Sequence, residues 1–372
     1  MPESDPRRVL LVLASSTGGV GQHVRALAAG LVESGMRVVV CGPAATEDLF
    51  GFTAVGARFT AAEIPPSPHP VWDARAIAAV RRAARGAQVV HAHGLRAGLV
   101  AALAVRTLSR PLVVAPPLVV TWHNAVLAEG AKAKVLAALE RVVARSADLT
   151  LCASDDLVDR VLALGGRDAR MAPVAAPALP APRRDAAAVR AELGVDGRPL
   201  VLAVARLHPQ KSLDVLVDAA ARWSGREPRP LVAVAGSGPA EADLRAQIER
   251  TGAPVRLLGH RDDVADLLAA CDVAVVTSRW EARQLFAQEA MKAGRPLVVT
   301  AVGGLPGLVR DGAVLVPPGD VAAVTTAVER VLDDPGHAEA LASRGRAVAA
   351  SWPTPQDTLD QVRAVYAELV GP

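Results

Sequence analysis

The chain has 372 residues, 51% of them hydrophobic and 21% charged, so it is globular, rich in core and long enough for two domains. Aromatic residues make up only 3%, which excludes a surface built to stack single-stranded nucleic acid, and a net charge of +3 is too small for a broadly basic face. The expected partner is an anionic small molecule held at local basic sites, not a nucleic acid.

The opening M-P-E-S-D-P-R-R-V-L-L-V-L-A reads as the first strand of a parallel sheet rather than a signal peptide. Its leader carries Glu3 and Asp5, its apolar run is short, and a glycine turn follows at once. That turn, S-S-T-G-G-V-G-Q-H-V, places Gly18, Gly19 and Gly21 before a helix that ends near Gly35. Glycines there let the backbone approach a ligand, and the helix start turns N–H groups toward an anion. The spacing is only partly the dinucleotide fingerprint, and no acidic residue caps the next strand, M-R-V-V-V-C-G, which disfavours a nicotinamide dehydrogenase.

After an irregular E-I-P-P-S-P-H-P comes a helix over 73–85, then the strand V-V-H-A-H-G, an apolar helix, and the strand L-V-V-T-W-H-N. Histidines recur at strand ends: His91, His93 and His123. Without a helical H-x-x-x-H or a nearby cysteine no metal is expected, and neutral imidazoles hydrogen-bonding a sugar hydroxyl or carbonyl are the preferred reading. A helix over 125–147 carries Lys132, Lys134, Arg141 and Arg145. Three of these share a face, which would allow peripheral contact with anionic lipid, although Glu129, Glu140 and Asp148 dilute the charge toward an ordinary solvated face.

Repeated prolines in M-A-P-V-A-A-P-A-L-P-A-P-R-R mark a semi-rigid linker. The predicted domains are 1–175, a linker 176–188, a second domain 189–350, and a terminal helix in 351–372. The second half restarts the strand–helix alternation, so the fold class is α/β, with two Rossmann-like domains whose parallel sheets face each other across a cleft. Arg206 and Lys211 follow its first strand. Lysine occurs only four times in the chain, so this pair suggests two tasks, a guanidinium fork and a compact point charge, both suited to phosphate.

The stretch 278–304 concentrates the remaining candidates. It follows the strand-like run 273–277, puts Glu281 in a loop and Glu289 in the helix L-F-A-Q-E-A-M-K-A, then reaches a buried strand over 296–299 and a turn at Gly303-Gly304. The carboxyl edge of an open α/β sheet is where ligands bind. Cys41, Cys152 and Cys271 lie far apart and read as reduced, buried small hydrophobes of a cytoplasmic protein. No stretch reaches the roughly 18 uninterrupted apolar residues that a spanning helix needs.

Taken in order, G-G-V-G-Q-H (18–23), H-A-H-G (91–94), T-W-H-N (121–124), A-R-L-H-P-Q-K-S-L-D (205–214), A-G-S-G-P (235–239), L-L-G-H (257–260) and E-x7-E (281–289) followed by A-V-G-G-L-P resemble the family 4 glycosyltransferases of the GT-B fold over nearly the full chain. The resemblance implies a retaining enzyme that takes a UDP- or GDP-linked sugar, without a metal, a resident cofactor or an enzymic nucleophile. The acceptor would be a small molecule, a lipid-linked group or a glycan, reached in the cytoplasm or at the inner face of the membrane. By the same resemblance Arg206 and Lys211 neutralise the donor diphosphate, Glu289 holds the ribose hydroxyls, and Glu281 holds a hydroxyl of the transferred sugar. Backbone N–H groups of Leu285 and Phe286 meet the phosphates, Gly18 and Gly19 let the first domain close over them, and Gly236 belongs to the nucleotide site. His123 touches the sugar near its reacting carbon, and the last helix crosses back to the first domain.

Two departures stand out. The family's E-G-F-G-L-P reads E-A-R-Q-L-F, with Ala282 and Gln284 in place of both glycines, so that Gln284 either narrows the sugar pocket or adds a hydrogen bond there. The usual N-G-V-D after the linker strand is replaced by A-A-P-A-L-P, a change expected to touch the hinge. Competing readings are a catalytically altered relative that binds nucleotide sugar or scaffolds a partner, and a sugar-nucleotide epimerase.

Overall fold

The computed structural model describes residues 8–16, 18–108, 115–125, 130–175, 179–195 and 197–371. Two compact units divide the chain: Met1–Ala175 with Pro353–Pro372, and Ala176–Trp352.

The first unit is built on seven parallel strands: β1 (Arg8–Leu13), β2 (Arg37–Gly42), β3 (Arg58–Ala61), β4 (Val89–His93), β5 (Leu118–Trp122), β6 (Leu149–Cys152) and β7 (Ala169–Met171). They lie in the order β3-β2-β1-β4-β5-β6-β7, so the chain winds outward from β1 and then restarts beside it at β4. Continuous apolar runs such as V-L-L-V-L suit strands covered on both faces, and Val9 through Leu13 are all buried. Val9, Leu11 and Leu13 share a core with Val362, Val365 and Tyr366 of the last helix, Pro355–Val370, which therefore belongs to this unit. A capping box between Thr354 and Asp357, with Pro355 in the first turn, starts that helix. Gly30 lets it come close to the helix Gly19–Glu33, since a Cβ at Gly30 would lie 2.5 Å from Leu359.

The second unit has six parallel strands: β8 (Leu200–Val204), β9 (Leu231–Ala235), β10 (Val255–Gly259), β11 (Val273–Val276), β12 (Leu297–Thr300) and β13 (Val314–Val316), in the order β10-β9-β8-β11-β12-β13. Strand alternation splits its core in two. Leu200, Leu202, Ala274 and Val276 face one helix layer, while Val201, Ala203, Val273 and Val275 face the other.

Some boundaries differ from those read in the sequence. The helix expected over 73–85 begins earlier, at Pro70, because His69 caps it and the proline needs no amide partner in the first turn. The helix Ala186–Glu192 occupies the end of the stretch read as linker, its first turn capped by Asp185. The helix expected over 125–147 is present as Gly130–Ser146, and 126–129 fall outside the described residues. It exposes Lys134, Arg141 and Arg145 beside Val135 and Val142, whereas Glu140 is buried and paired with Arg160 at 2.5 Å. Lys132 lies where no side chain is described. All three cysteines are free and buried, and burial pushes each thiol up to about 12. Among the described residues no helix is long and apolar enough to cross a membrane.

Candidate functional site

In an open parallel sheet the strand order reverses at one point, and the two loops leaving that point diverge to opposite faces, opening a crevice at the carboxyl ends. In the second unit this point lies between β8 and β11. The loop after β8 carries Arg206 and Lys211, and the loop after β11 carries Glu281.

The structure joins these two loops directly. Lys211 Nζ donates to Glu281 Oε1, and Ser278 Oγ donates to the same oxygen at 2.7 Å. Gln210 Nε2 donates to the Trp280 carbonyl at 2.9 Å, Arg279 N donates to the Gln210 carbonyl at 2.8 Å, and Thr277 Oγ1 donates to the Lys211 carbonyl at 3.1 Å. Ser212, next to Lys211, is buried with φ 44, the left-handed region that a serine adopts only when its surroundings impose it. Glu281 is also held from behind. Gly304 N donates to its carbonyl at 2.9 Å, and at Gly303, with φ 51, a Cβ would stand 2.2 Å from that carbonyl oxygen. The glycine pair after β12 is thus the seat of the Glu281 loop.

The helix Leu285–Lys292 starts beside this cluster. Phe286 is buried and anchors it in the core, Leu285 is partly exposed, and Glu289 is half-buried one turn further on. Burial holds the Glu289 carboxyl above the usual carboxylate range, with nearby Lys292 pulling the other way. Gln284, expected to narrow the sugar pocket or to add a hydrogen bond there, has its amide oxygen engaged locally. Its side chain is the cap of this helix, with Oε1 accepting from Ala287 N at 2.5 Å, which leaves the Leu285 and Phe286 amides outside the cap. A side-chain amide here does the capping that the family's glycine cannot. Arg206 is exposed and has no ion pair among the described residues. Gly236 ends β9, and a Cβ there would lie 1.9 Å from the Ala205 carbonyl, so close packing of the β8 and β9 ends by itself requires a glycine.

In the first unit the reversal falls between β1 and β4. Of the glycines after β1, Gly21 is a packing residue, since a Cβ would meet the Phe50 ring at 2.1 Å, whereas a Cβ at Gly18 would meet nothing within 4 Å. Gly18 and Gly19 are exposed at the start of the helix Gly19–Glu33. His93 ends β4 and His123 follows β5, with His93 Nδ1 and His123 Nε2 3.3 Å apart. His23, which the sequence reading took only as part of the glycine motif, joins them, its ring 5.5 Å from that of His93 and 5.4 Å from that of His123. The signal for it was its place one turn into the helix that leaves β1. His91 is a different kind of residue from its neighbours. Its two nitrogens are taken up by Tyr366 Oη at 2.7 Å and Thr121 Oγ1 at 2.6 Å, which makes it a buried strut and not the sugar contact that the sequence suggested. Burial keeps all four rings neutral at physiological pH: it pushes His23 down to about 4 and His91 to about 3, and holds His93 and His123 well below the usual histidine range.

The expected residues therefore fall into two sets. Arg206, Lys211, Gly236, Glu281, Leu285, Phe286 and Glu289 gather at the carboxyl ends of β8, β9 and β11, and Gly18, Gly19 and His123 gather at the carboxyl edge of the first sheet.

Known proteins carry the same pattern. The family described as Glycosyl transferase 4-like domain matches residues 18–177, and that described as Glycosyl transferases group 1 matches residues 198–334. The D-inositol 3-phosphate glycosyltransferase of Geodermatophilus obscurus is 31% identical over 398 residues, covering 95% of this chain and 85% of that protein. The alpha-D-kanosaminyltransferase of Streptomyces kanamyceticus is 32% identical over 196 residues, so the match spans only 50% of that protein's length. Among solved structures, HepE from Anabaena in complex with UDP superposes with a TM-score of 0.81 at 23% identity, covering 97% of this chain and 100% of that one, a likeness that carries the fold.

Proposed function

The chain belongs to the family 4 glycosyltransferases of the GT-B fold, and from that premise we propose that it moves a hexosyl group from a UDP- or GDP-linked donor to an acceptor hydroxyl with retention of anomeric configuration. The observation that carries this reading is the Lys211–Glu281–Ser278 cluster at the strand-order reversal of the second unit, one helix turn from Glu289. It supplies a cation for phosphate and a carboxylate for hydroxyls side by side.

In the proposed reaction the bond from the sugar's anomeric carbon to the β-phosphate oxygen breaks while the acceptor oxygen bonds to that carbon on the same face. The departing phosphate oxygen takes the acceptor proton, so nucleoside diphosphate leaves and neither a metal nor an enzymic nucleophile is required. Lys211 and Arg206 stabilise the leaving-group charge as it grows, which contributes to rate and not only to affinity. On donor binding Lys211 is shared between Glu281 and the phosphate, and Glu281 turns its second oxygen to a sugar hydroxyl. Glu289 accepts from the ribose hydroxyls, each such charge-assisted bond being worth about 1.5–3 kcal/mol.

Calorimetry with UDP- and GDP-sugars tests the donor site. The parent should bind one of them, and Glu289→Ala should weaken that binding greatly; equal affinity in the two proteins removes the ribose role. A second reading, a relative that binds donor without transfer, is raised by one observation, the replacement of both loop glycines of the family by Ala282 and Gln284 beside Glu281. Donor hydrolysis or transfer by the parent, followed by product mass, rules it out, and binding without either supports it.

A further inference from the structure

We propose that His23, His93 and His123 form a binding site for one divalent transition metal, of the zinc or cobalt type, within the first unit. One ring nitrogen from each of the three residues lies within 4.8 Å of the others. Two of them already stand at a ligand spacing. Zinc–nitrogen bonds of 2.0–2.1 Å at a tetrahedral angle put two ligand nitrogens about 3.3 Å apart, and His93 Nδ1 and His123 Nε2 are 3.3 Å apart in a hydrogen bond whose proton must move to the far nitrogen of its ring when a cation takes its place. The third must draw in by up to about 1.5 Å to reach the same spacing. His23, half-buried on the first turns of its helix, is the least confined of the three and the one to move.

Further features of the cluster define the site. His91 is excluded as a ligand, because Tyr366 and Thr121 occupy its nitrogens. It lies against the His93 ring at a centroid distance of 4.3 Å and thereby fixes that ring's orientation. Three neutral histidines without a carboxylate make a set that leaves a fourth position for water or an anion. The set selects zinc-like cations over magnesium or calcium, which require oxygen ligands.

Cobalt(II) chloride added to the tag-free, chelator-stripped full chain provides the test. One equivalent should bind and develop visible ligand-field absorption, which zinc chloride should abolish by displacement. His23→Ala, at the half-buried position, should weaken cobalt binding on the order of tenfold or more, and His93→Ala and His123→Ala should lose the absorption. His260→Ala, outside the cluster, should bind as the parent does, and circular dichroism identifies any variant that has not folded. The proposal is overturned if the parent binds no cobalt, if folded His23→Ala binds it as tightly as the parent, or if His260→Ala removes the signal.

Discussion

Replacing Lys211 by Met separates the two jobs that the structure gives this residue. Its side chain is 18% exposed and that of Glu281 10%, so the pair lies between a surface ion pair, worth about 0.2–1 kcal/mol, and a fully buried one, whose breakage costs about 3–5 kcal/mol. Lys211→Met leaves the Glu281 carboxylate with Ser278 Oγ as its remaining side-chain partner among the described residues, for which we expect a loss of about 2 kcal/mol. Glu281→Gln leaves the ammonium unpaired at a similar cost, and the double variant should recover much of the loss, because neither charge then remains. Urea unfolding followed by tryptophan fluorescence measures all four proteins, with Trp280 buried beside the pair as a local probe. Donor hydrolysis measured on the same proteins should fall about 10²-fold or more in Lys211→Met and stay low in the double variant, so that stability returns and turnover does not. Single-variant losses that add within about 0.5 kcal/mol would show that the two side chains are not coupled, and a parental rate in Lys211→Met would refute its role at the leaving group.

Three other perturbations follow from the geometry. Tyr366→Phe keeps the shape of the ring but strips His91 Nδ1 of its partner in a fully buried site, and should cost the first unit about 1–3 kcal/mol in urea unfolding, a loss below about 0.5 kcal/mol contradicting the strut. Glu289→Gln should stabilise the donor-free protein at neutral pH while weakening donor binding. The Glu289 carboxyl sits above its unfolded-state value, so its contribution to stability is full in acid and is lost as pH rises through the folded-state value. The variant's melting advantage should accordingly be larger at neutral pH than in acid, and an advantage independent of pH would be inconsistent with the raised carboxyl. Gly303→Ala puts a Cβ against the Glu281 carbonyl at a left-handed backbone position, so both the melting temperature and donor turnover should drop, and a variant with parental values would show that the Glu281 seat does not depend on this glycine.

Much of the protein is determined by its sequence alone. Apolar runs bounded by glycine turns specify buried parallel strands, since such strands need no polar face, and the order of the motifs suffices to identify the family. The chemical types at the second sheet's edge, a lysine after one strand and a carboxylate after another, are equally legible, because loops at strand ends stay close to the strands that deliver them. What only tertiary structure decides is which of these side chains meet. Lys211 and Glu281 are 70 residues apart and touch because β8 and β11 are neighbours at the reversal of strand order. The sequence shows Gln284 replacing a glycine, but only the fold turns its amide oxygen onto the start of its own helix. His91, His93 and His123, each in or just after a strand, look equivalent in sequence. In the fold His91 is consumed by Tyr366 from the far end of the chain, while His23, on a helix, takes its place beside His93 and His123. Local pattern reports the conformation that a segment adopts, whereas the partner of a buried polar atom depends on contacts tens to hundreds of residues away, which no local pattern encodes.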